Sequence, residues 1–252
     1  MSNNAENIVF CSGGKDSNAT LILAKEHGER IDAVVFGEVM FDSNTSGEHP
    51  LHRDFVYDKV RSYVENKLKV PFYILHSPKT YTDYFFHTIS RGAGKGKTAG
   101  FPIPGMCAIN RDCKLLAFRQ FMKGAGKDCK MQFVGIAANE SVRLKRLEGT
   151  NRKSLLQKYG YTEKMARALC ESEGLLSPIY DISARNGCWF CMNCKDVEWR
   201  WLLENRPDLF DKLIALERTP GLYRNALTYN ETPSQIKERI SKVPFQYSFD
   251  FN

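Results

Sequence analysis

Two patterns of apolar residues alternate over the first 150 positions. Short runs rich in β-branched and aromatic residues occupy 8–11 (IVFC), 31–37 (IDAVVFG), 70–76 (VPFYILH) and 131–137 (MQFVGIA). Each is strand-length and bounded by turn formers. Between them, apolar positions recur at helical spacing. The first such stretch, 17–28 (SNATLILAKEHG), stops at Gly28, a residue suited to a helix C-terminus. Others cover 50–68 (Leu51, Phe55, Val56, Val60, Val64, Leu68), 80–90 and 108–123. Strands alternating with helices predict a doubly wound α/β fold, a mainly parallel sheet with helices on both faces. From about residue 150 the pattern turns helical, with caps near Thr150 and Thr162, and only LLSPIYDI at 175–182 reads as a strand. The expected organisation is an α/β core over 1–150 and a helical, cysteine-rich region over 151–252, packed on that core.

The first strand breaks directly into Ser12-Gly13-Gly14-Lys15-Asp16-Ser17, and an apolar helix follows at once. Glycines let the backbone turn tightly, so that several N–H groups converge on an anion. The helix adds its positive end, Lys15 a full charge, and Ser12 and Ser17 hydroxyl donors. In doubly wound sheets ligands bind beyond the C-terminal strand ends, where this loop lies. Two more segments occupy such ends. GEVMFDSNTSGEHP follows the second strand and places Asp42 to reach a ribose hydroxyl or Mg²⁺. Its Glu48 and His49 open the next helix as ligand groups or as mere caps. VGIAANESVRLKRL follows the fourth strand with Glu140, Arg143 and Arg146; the two arginines, three apart, share a helix face and suit a sulfate or phosphate.

Residues 91–106 (RGAGKGKTAGFPIPGM) have no usable period. The GKGKT within them is not a Walker A loop, because Arg91 stands where the first glycine is needed and a helix precedes it. A basic lid over the phosphate end is the expectation.

Composition sharpens this picture. Hydrophobic residues make up 42% and aromatics 12% of the 252 residues, as in globular proteins. No stretch approaches a membrane span and MSNNAEN lacks a signal peptide's charged and apolar regions, so a cytoplasmic protein with no membrane partner is expected. The formal charge of +7 fits a nucleotide or nucleic-acid partner, or a solvated basic surface. Eight cysteines without a secretion signal argue against a disulfide framework. Cys11, Cys129 and Cys170 fall in apolar or helical patterns as core thiols. The other five crowd into Cys107/Cys113 and Cys188-x-x-Cys191-x-x-Cys194, which reads as metal ligation. Cys107, Cys188 and Cys191 are the first choice, with Cys113 and Cys194 competing for the fourth place. The oligomeric state, a homo-oligomer included, stays open.

The SGGKDS loop resembles the PP-loop of the adenine-nucleotide alpha-hydrolase superfamily, which includes ATP pyrophosphatases, tRNA thiolation enzymes and phosphoadenylyl-sulfate (PAPS) reductases. The acidic, Pro-containing segment at Asp42–Pro50 and the G-x-x-x-x-E-S-x-R-x-x-R segment at 135–146 are similar to the PAPS-reductase-like family. The order of motifs from SLLQKYGYTEKMARALCESEGLLSPIYDI through GCWFC to WRWLLENRPDLFDKLIALE resembles a bacterial and phage branch of it. The resemblance spans residues 8 to about 217. It implies a HUP-like fold and binding of ATP or another adenylyl nucleotide by Ser12, Gly13, Gly14, Lys15, Asp16, Ser17, Asp42, Glu140, Arg143 and Arg146. The mid-chain cysteine pair with a later C-x-x-C is similar to the [4Fe–4S] arrangement of adenylyl-sulfate reductases. Those have adjacent first cysteines where Cys107 and Cys113 are six apart, so zinc stays open.

True reductases of that family carry a nucleophilic cysteine in a C-terminal tail, and here no cysteine follows Cys194. The reading adopted is therefore cleavage of an adenylyl nucleotide between its α- and β-phosphates with adenylylation of a substrate. Lys15, Asp16 and Arg143 are expected to act in the chemistry, with Asp16 and Asp42 helping to position Mg²⁺ or the ribose. The acceptor is unknown, RNA or another nucleic acid among the candidates, and a metal–sulfur centre would suit sulfur transfer. The alternatives are a sulfonucleotide reductase and a non-catalytic nucleotide- or nucleic-acid-binding accessory protein.

Overall fold

The computed structural model describes residues 5–103, 107–124 and 127–242. In chain order the elements that matter here are β1 (Asn7–Phe10), α1 (Lys15–Glu26), β2 (Ala33–Glu38), α2 (Pro50–Phe55), β3 (Phe72–His76), α3 (Tyr81–Phe85), β4 (Thr98–Gly100), α4 (Leu115–Lys123), β5 (Met131–Val134), α5 (Ser141–Leu144), β6 (Arg152–Lys153), α6 (Leu155–Lys158), α7 (Glu163–Ser172), α8 (Asp196–Asn205), α9 (Pro207–Glu217), β7 (Leu222–Arg224) and α10 (Pro233–Lys242). They fall into two compact units. One comprises Met1–Tyr81 with Ile109–Cys188, the other Thr82–Ala108 with Trp189–Asn252. This division departs from a boundary at residue 150: β6, α6 and α7 belong with the sheet, because α6 and α7 pack on α1.

The first unit holds a five-stranded, all-parallel sheet in the order β3-β2-β1-β5-β6. The four strands expected over the first 150 residues are present, and β2 is buried along its whole length, as a central strand covered on both faces must be. Strand order reverses between β1 and β5, so the crevice for a ligand opens where their C-terminal ends meet. The core beneath is built from Val9, Leu21, Val34, Phe36, Val56 and Phe133 with their neighbours.

The stretch 50–68 is helical as its spacing predicts, but after α2 it winds partly as π turns (Val56–Val60 and Val64–Leu68). The helix expected over 80–90 stops at Phe85. Ser154, not Thr150, caps α6, whereas Thr162 caps α7 as expected. LLSPIYDI is not a strand. Pro178 lacks an N–H and has a preset φ, so it opens a 3₁₀ turn over Pro178–Asp181 instead of pairing in a sheet. Ser177 caps that turn by accepting the Ile179 N–H.

In the second unit α8, α9 and α10 pack together, with Trp199 and Phe210 edge to face at 5.9 Å. β4 pairs with β7 in parallel. The stretch expected as a lid is built into this unit. It reverses through Lys95 N–H to Gly92 O (3.1 Å) and Lys97 N–H to Gly94 O (2.9 Å), then enters β4. Residues 104–106 of that stretch, and residues 243–252 of the cysteine-free tail, lie outside the described residues. No helix among the described residues is long and apolar enough to cross a membrane.

Candidate nucleotide site

The Ser12–Ser17 loop leaves β1 at its C-terminal end and turns into α1, as the sequence predicts. Gly13 has φ +73°, a left-handed conformation, and a Cβ there would stand 2.3 Å from a Val56 methyl. Gly135, just past β5, approaches as closely from the other side of the crevice. A Cβ on it would lie 2.5 Å from the Ser17 nitrogen. The glycine of the 135–146 motif is thus there to let β5 close on the start of α1.

Internal hydrogen bonds hold the loop in shape. Ser12 N–H donates to Ser17 Oγ (3.2 Å), Gly14 N–H to Ser12 Oγ (3.3 Å) and Gly13 N–H to Cys11 Sγ (3.4 Å). Buried Asn18 donates to the carbonyls of Gly13 and Leu175, both at 2.9 Å. His52 Nε2–H donates to Ser12 O (2.8 Å), which leaves Nδ1 to accept from Ser177 Oγ (2.9 Å). Asn186 also donates to Ser12 O (3.1 Å), and the Lys15 N–H donates to the Tyr180 hydroxyl (3.0 Å). Residues 175–187 therefore form the second wall of the loop. No pattern in LLSPIYDI announces this role; Pro178, which opens turns, is the one signal within it.

Lys15 Nζ lies 3.0 Å from Asp16 Oδ2 and 3.4 Å from Glu163 Oε2. Burial alone would lower the lysine's pKa, but the hydrogen bond and charge of Asp16 more than reverse this and raise it. Burial pushes the Asp16 carboxyl up against the pull of Lys15, and the Glu163 and Glu140 carboxylates add to the rise. Asp16 Oδ1 is buried with no hydrogen-bond partner among the described residues. An orphaned carboxylate oxygen beside a phosphate loop fits a Mg²⁺ ligand.

The other expected residues fare differently. Asp42 Oδ1 accepts from Asn44 N (2.9 Å) and Thr45 N (2.7 Å), shaping the loop after β2. The carboxylate that dominates that strand end is Glu38, which sequence reading missed. It is 2% exposed and accepts from Ser46, Arg53, Tyr57 and His76. Burial would raise its pKa; the four donors win and hold it down. Glu48 is buried, accepting from Val39 N (3.2 Å) and Lys114 Nζ (3.1 Å). Glu140 accepts the Ala137 N–H (2.9 Å) and pairs with Arg143 (2.5 Å), while Arg146 is exposed.

His49 stands at the N-terminal boundary position of α2 and is 3% exposed. Burial, with the neighbouring His52, lowers its pKa to about 4. In the unfolded chain this ring takes a proton near pH 6.5, so between about 6.5 and 4 the unfolded state binds more protons and stability falls as pH falls. The loss attributable to His49 is expected to reach about 3 kcal/mol. Urea unfolding of the wild type and His49→Asn from pH 7 to 4 checks it: equal pH slopes for the two proteins would refute the assignment.

The five cysteines divide between the units, Cys113 and Cys188 in the first, Cys107, Cys191 and Cys194 in the second. Cys113 is fully buried and its thiol donates to the Thr80 carbonyl (3.3 Å). Cys188 pairs backbone to backbone with Glu48, and Cys194 N–H closes a turn onto Cys191 O (2.9 Å). Cys11 and Cys170 are core thiols, as expected. Thiolates suit zinc or an iron–sulfur cluster in chemistry. Among the described residues no group of three His, Cys, Asp or Glu side chains that could hold a metal ion is gathered.

A left-handed glycine turn, a lysine-bearing helix start and a parallel sheet reversing at that point define a PP-loop protein of the adenine-nucleotide alpha-hydrolase superfamily. Residues 6–164 match the model of the tRNA methyl transferase HUP domain, and the chain belongs to that family. The match agrees with the superfamily read from SGGKDS and supplies a tRNA-modifying family within it. No curated protein matches the chain. Among solved structures, the U34-tRNA thiolase NcsA from Methanococcus maripaludis with its [4Fe–4S] cluster is similar over 99% of this chain and 77% of its own, at 13% identity and a TM-score of 0.42.

Proposed function

We propose that this protein binds ATP at the Ser12–Ser17 loop and transfers its adenylyl group to an oxygen of an RNA. The acceptor oxygen attacks the α-phosphorus, the bond from that phosphorus to the bridging oxygen breaks, and pyrophosphate leaves. The observation that carries this reading is the loop itself, a glycine-turned strand end with Lys15 at the head of a twelve-residue helix. Ser12, Lys15 and Ser17 stabilise the charge that gathers on the leaving pyrophosphate. Asp16, through its unpartnered Oδ1, would hold a Mg²⁺ ion, which would supply positive charge beside the polyphosphate. Arg143 and Arg146 face the RNA phosphates, and Asp42 the ribose. The family match favours RNA as acceptor.

The test is direct. Purified protein given ATP, Mg²⁺ and bulk tRNA is expected to release pyrophosphate and leave AMP linked to RNA. Absence of adenine-nucleotide binding, or binding without RNA-dependent pyrophosphate release, overturns the reading. Sulfonucleotide reduction is the second reading, favoured by the resemblance of the motif order in 135–217 to PAPS-reductase-like proteins. Sulfite release from PAPS or adenylyl sulfate in the presence of a thiol reductant would establish it.

A further inference from the structure

The geometry points to Tyr180 as a further ligand of the bound phosphate: its hydroxyl accepts the Lys15 N–H at the head of α1 and gives its own proton to a phosphoryl oxygen. This deepens the ATP-site reading and rests on it. The first N–H groups of a helix have no partner within the helix, and in phosphate loops they serve the anion. Here the Lys15 N–H donates to the Tyr180 oxygen, 3.0 Å away. A phenol that accepts one bond still has a proton to donate. Among the described residues nothing accepts it, although Tyr180 is only 6% exposed. A buried hydroxyl proton without an acceptor is costly, and an anion seated at the loop would supply the acceptor.

Gly14 shows that this approach is built in. A Cβ at that position would stand 3.1 Å from the Tyr180 oxygen and 3.0 Å from Asn186 Oδ1. Glycine there lets both side chains reach the loop. The N–H groups of Ser12, Gly13 and Gly14 are meanwhile taken by Ser17, Cys11 and Ser12 side chains. Passing the Lys15 N–H through a hydroxyl restores a donor to the site, and two hydrogen bonds in series polarise each other. Burial raises the phenol's pKa, which keeps it protonated and able to donate. Tyr180 lies outside the family match at 6–164, so the donor comes from the segment that follows the shared domain.

Calorimetric titration of the wild type and Tyr180→Phe with inorganic pyrophosphate, and separately with adenosine, tests the assignment. Pyrophosphate affinity is expected to fall about tenfold or more in Tyr180→Phe, the worth of a hydrogen bond to a charged group, with adenosine affinity unchanged. Equal pyrophosphate affinity in the two proteins overturns the inference. So does a parallel loss of both ligands, which would mark Tyr180 as purely structural. A wild type that binds neither ligand fails the ATP-site reading itself. Should Tyr180→Phe not fold, 3-fluorotyrosine at position 180 keeps the shape and the hydroxyl. Its ¹⁹F resonance is expected to shift with pyrophosphate and not with adenosine, and no shift overturns the inference.

Discussion

Replacing Lys15 with alanine is expected to slow RNA-dependent pyrophosphate release by about 10²- to 10³-fold, the cost of removing one preorganised donor from a developing negative charge. The effect should be catalytic more than structural. The lysine side chain is 18% exposed and its partners are Asp16 and the half-exposed Glu163, so no buried ion is stranded deep in the core. What changes is the field at the helix start. Asp16 already feels Glu163 and Glu140, and without the ammonium three carboxylates would face an incoming polyphosphate. Lys15→Arg keeps the charge but spreads it over a bulkier planar fork, and should recover only part of the rate. Steady-state pyrophosphate release with melting temperature as control decides the matter. A Lys15→Ala protein that melts normally and turns over like the wild type would remove the loop from the chemistry.

Much of this site was legible because it is local. SGGKDS lies within six residues, and a strand on one side and a helix on the other follow from β-branched runs and helical spacing. The sheet followed from alternation of elements. The walls of the loop were not legible, for a physical reason. Asn186 reaches Ser12 across 174 residues and Tyr180 reaches Lys15 across 165, and no periodicity couples positions so far apart. β6 was missed because two exposed residues carry no apolar signal. The 175–182 segment was misread as a strand because its apolar residues satisfy a β pattern, while Pro178 and the Ser177 cap decide its backbone. Lys114, within the helical stretch expected over 108–123, turns inward to Glu48 across 66 residues.

That inward lysine supports the largest stability effect expected in the chain. Lys114 Nζ sits 3.1 Å from Glu48 Oε1; the Glu48 side chain is 1% exposed and that of Lys114 19%. Its ammonium also lies 5.6 Å from the Phe36 ring centre. Burial alone would lower the lysine's pKa, and the Glu48 charge with its hydrogen bond raises it instead. Removing one partner of such a pair costs more than the pair is worth, because the remaining charge stays out of water. Lys114→Met strands the carboxylate. Since Lys114 keeps some exposure, the loss should fall at the lower end for buried pairs, about 3 kcal/mol at pH 7, or roughly 6–12 °C in melting temperature for a domain of this size. Glu48→Gln with Lys114→Met removes both charges, and the double variant should be more stable than Lys114→Met alone. Urea unfolding of wild type, Lys114→Met and the double variant at pH 7 measures both effects. A double variant no more stable than Lys114→Met would mean that the pair holds the fold by packing and not by charge.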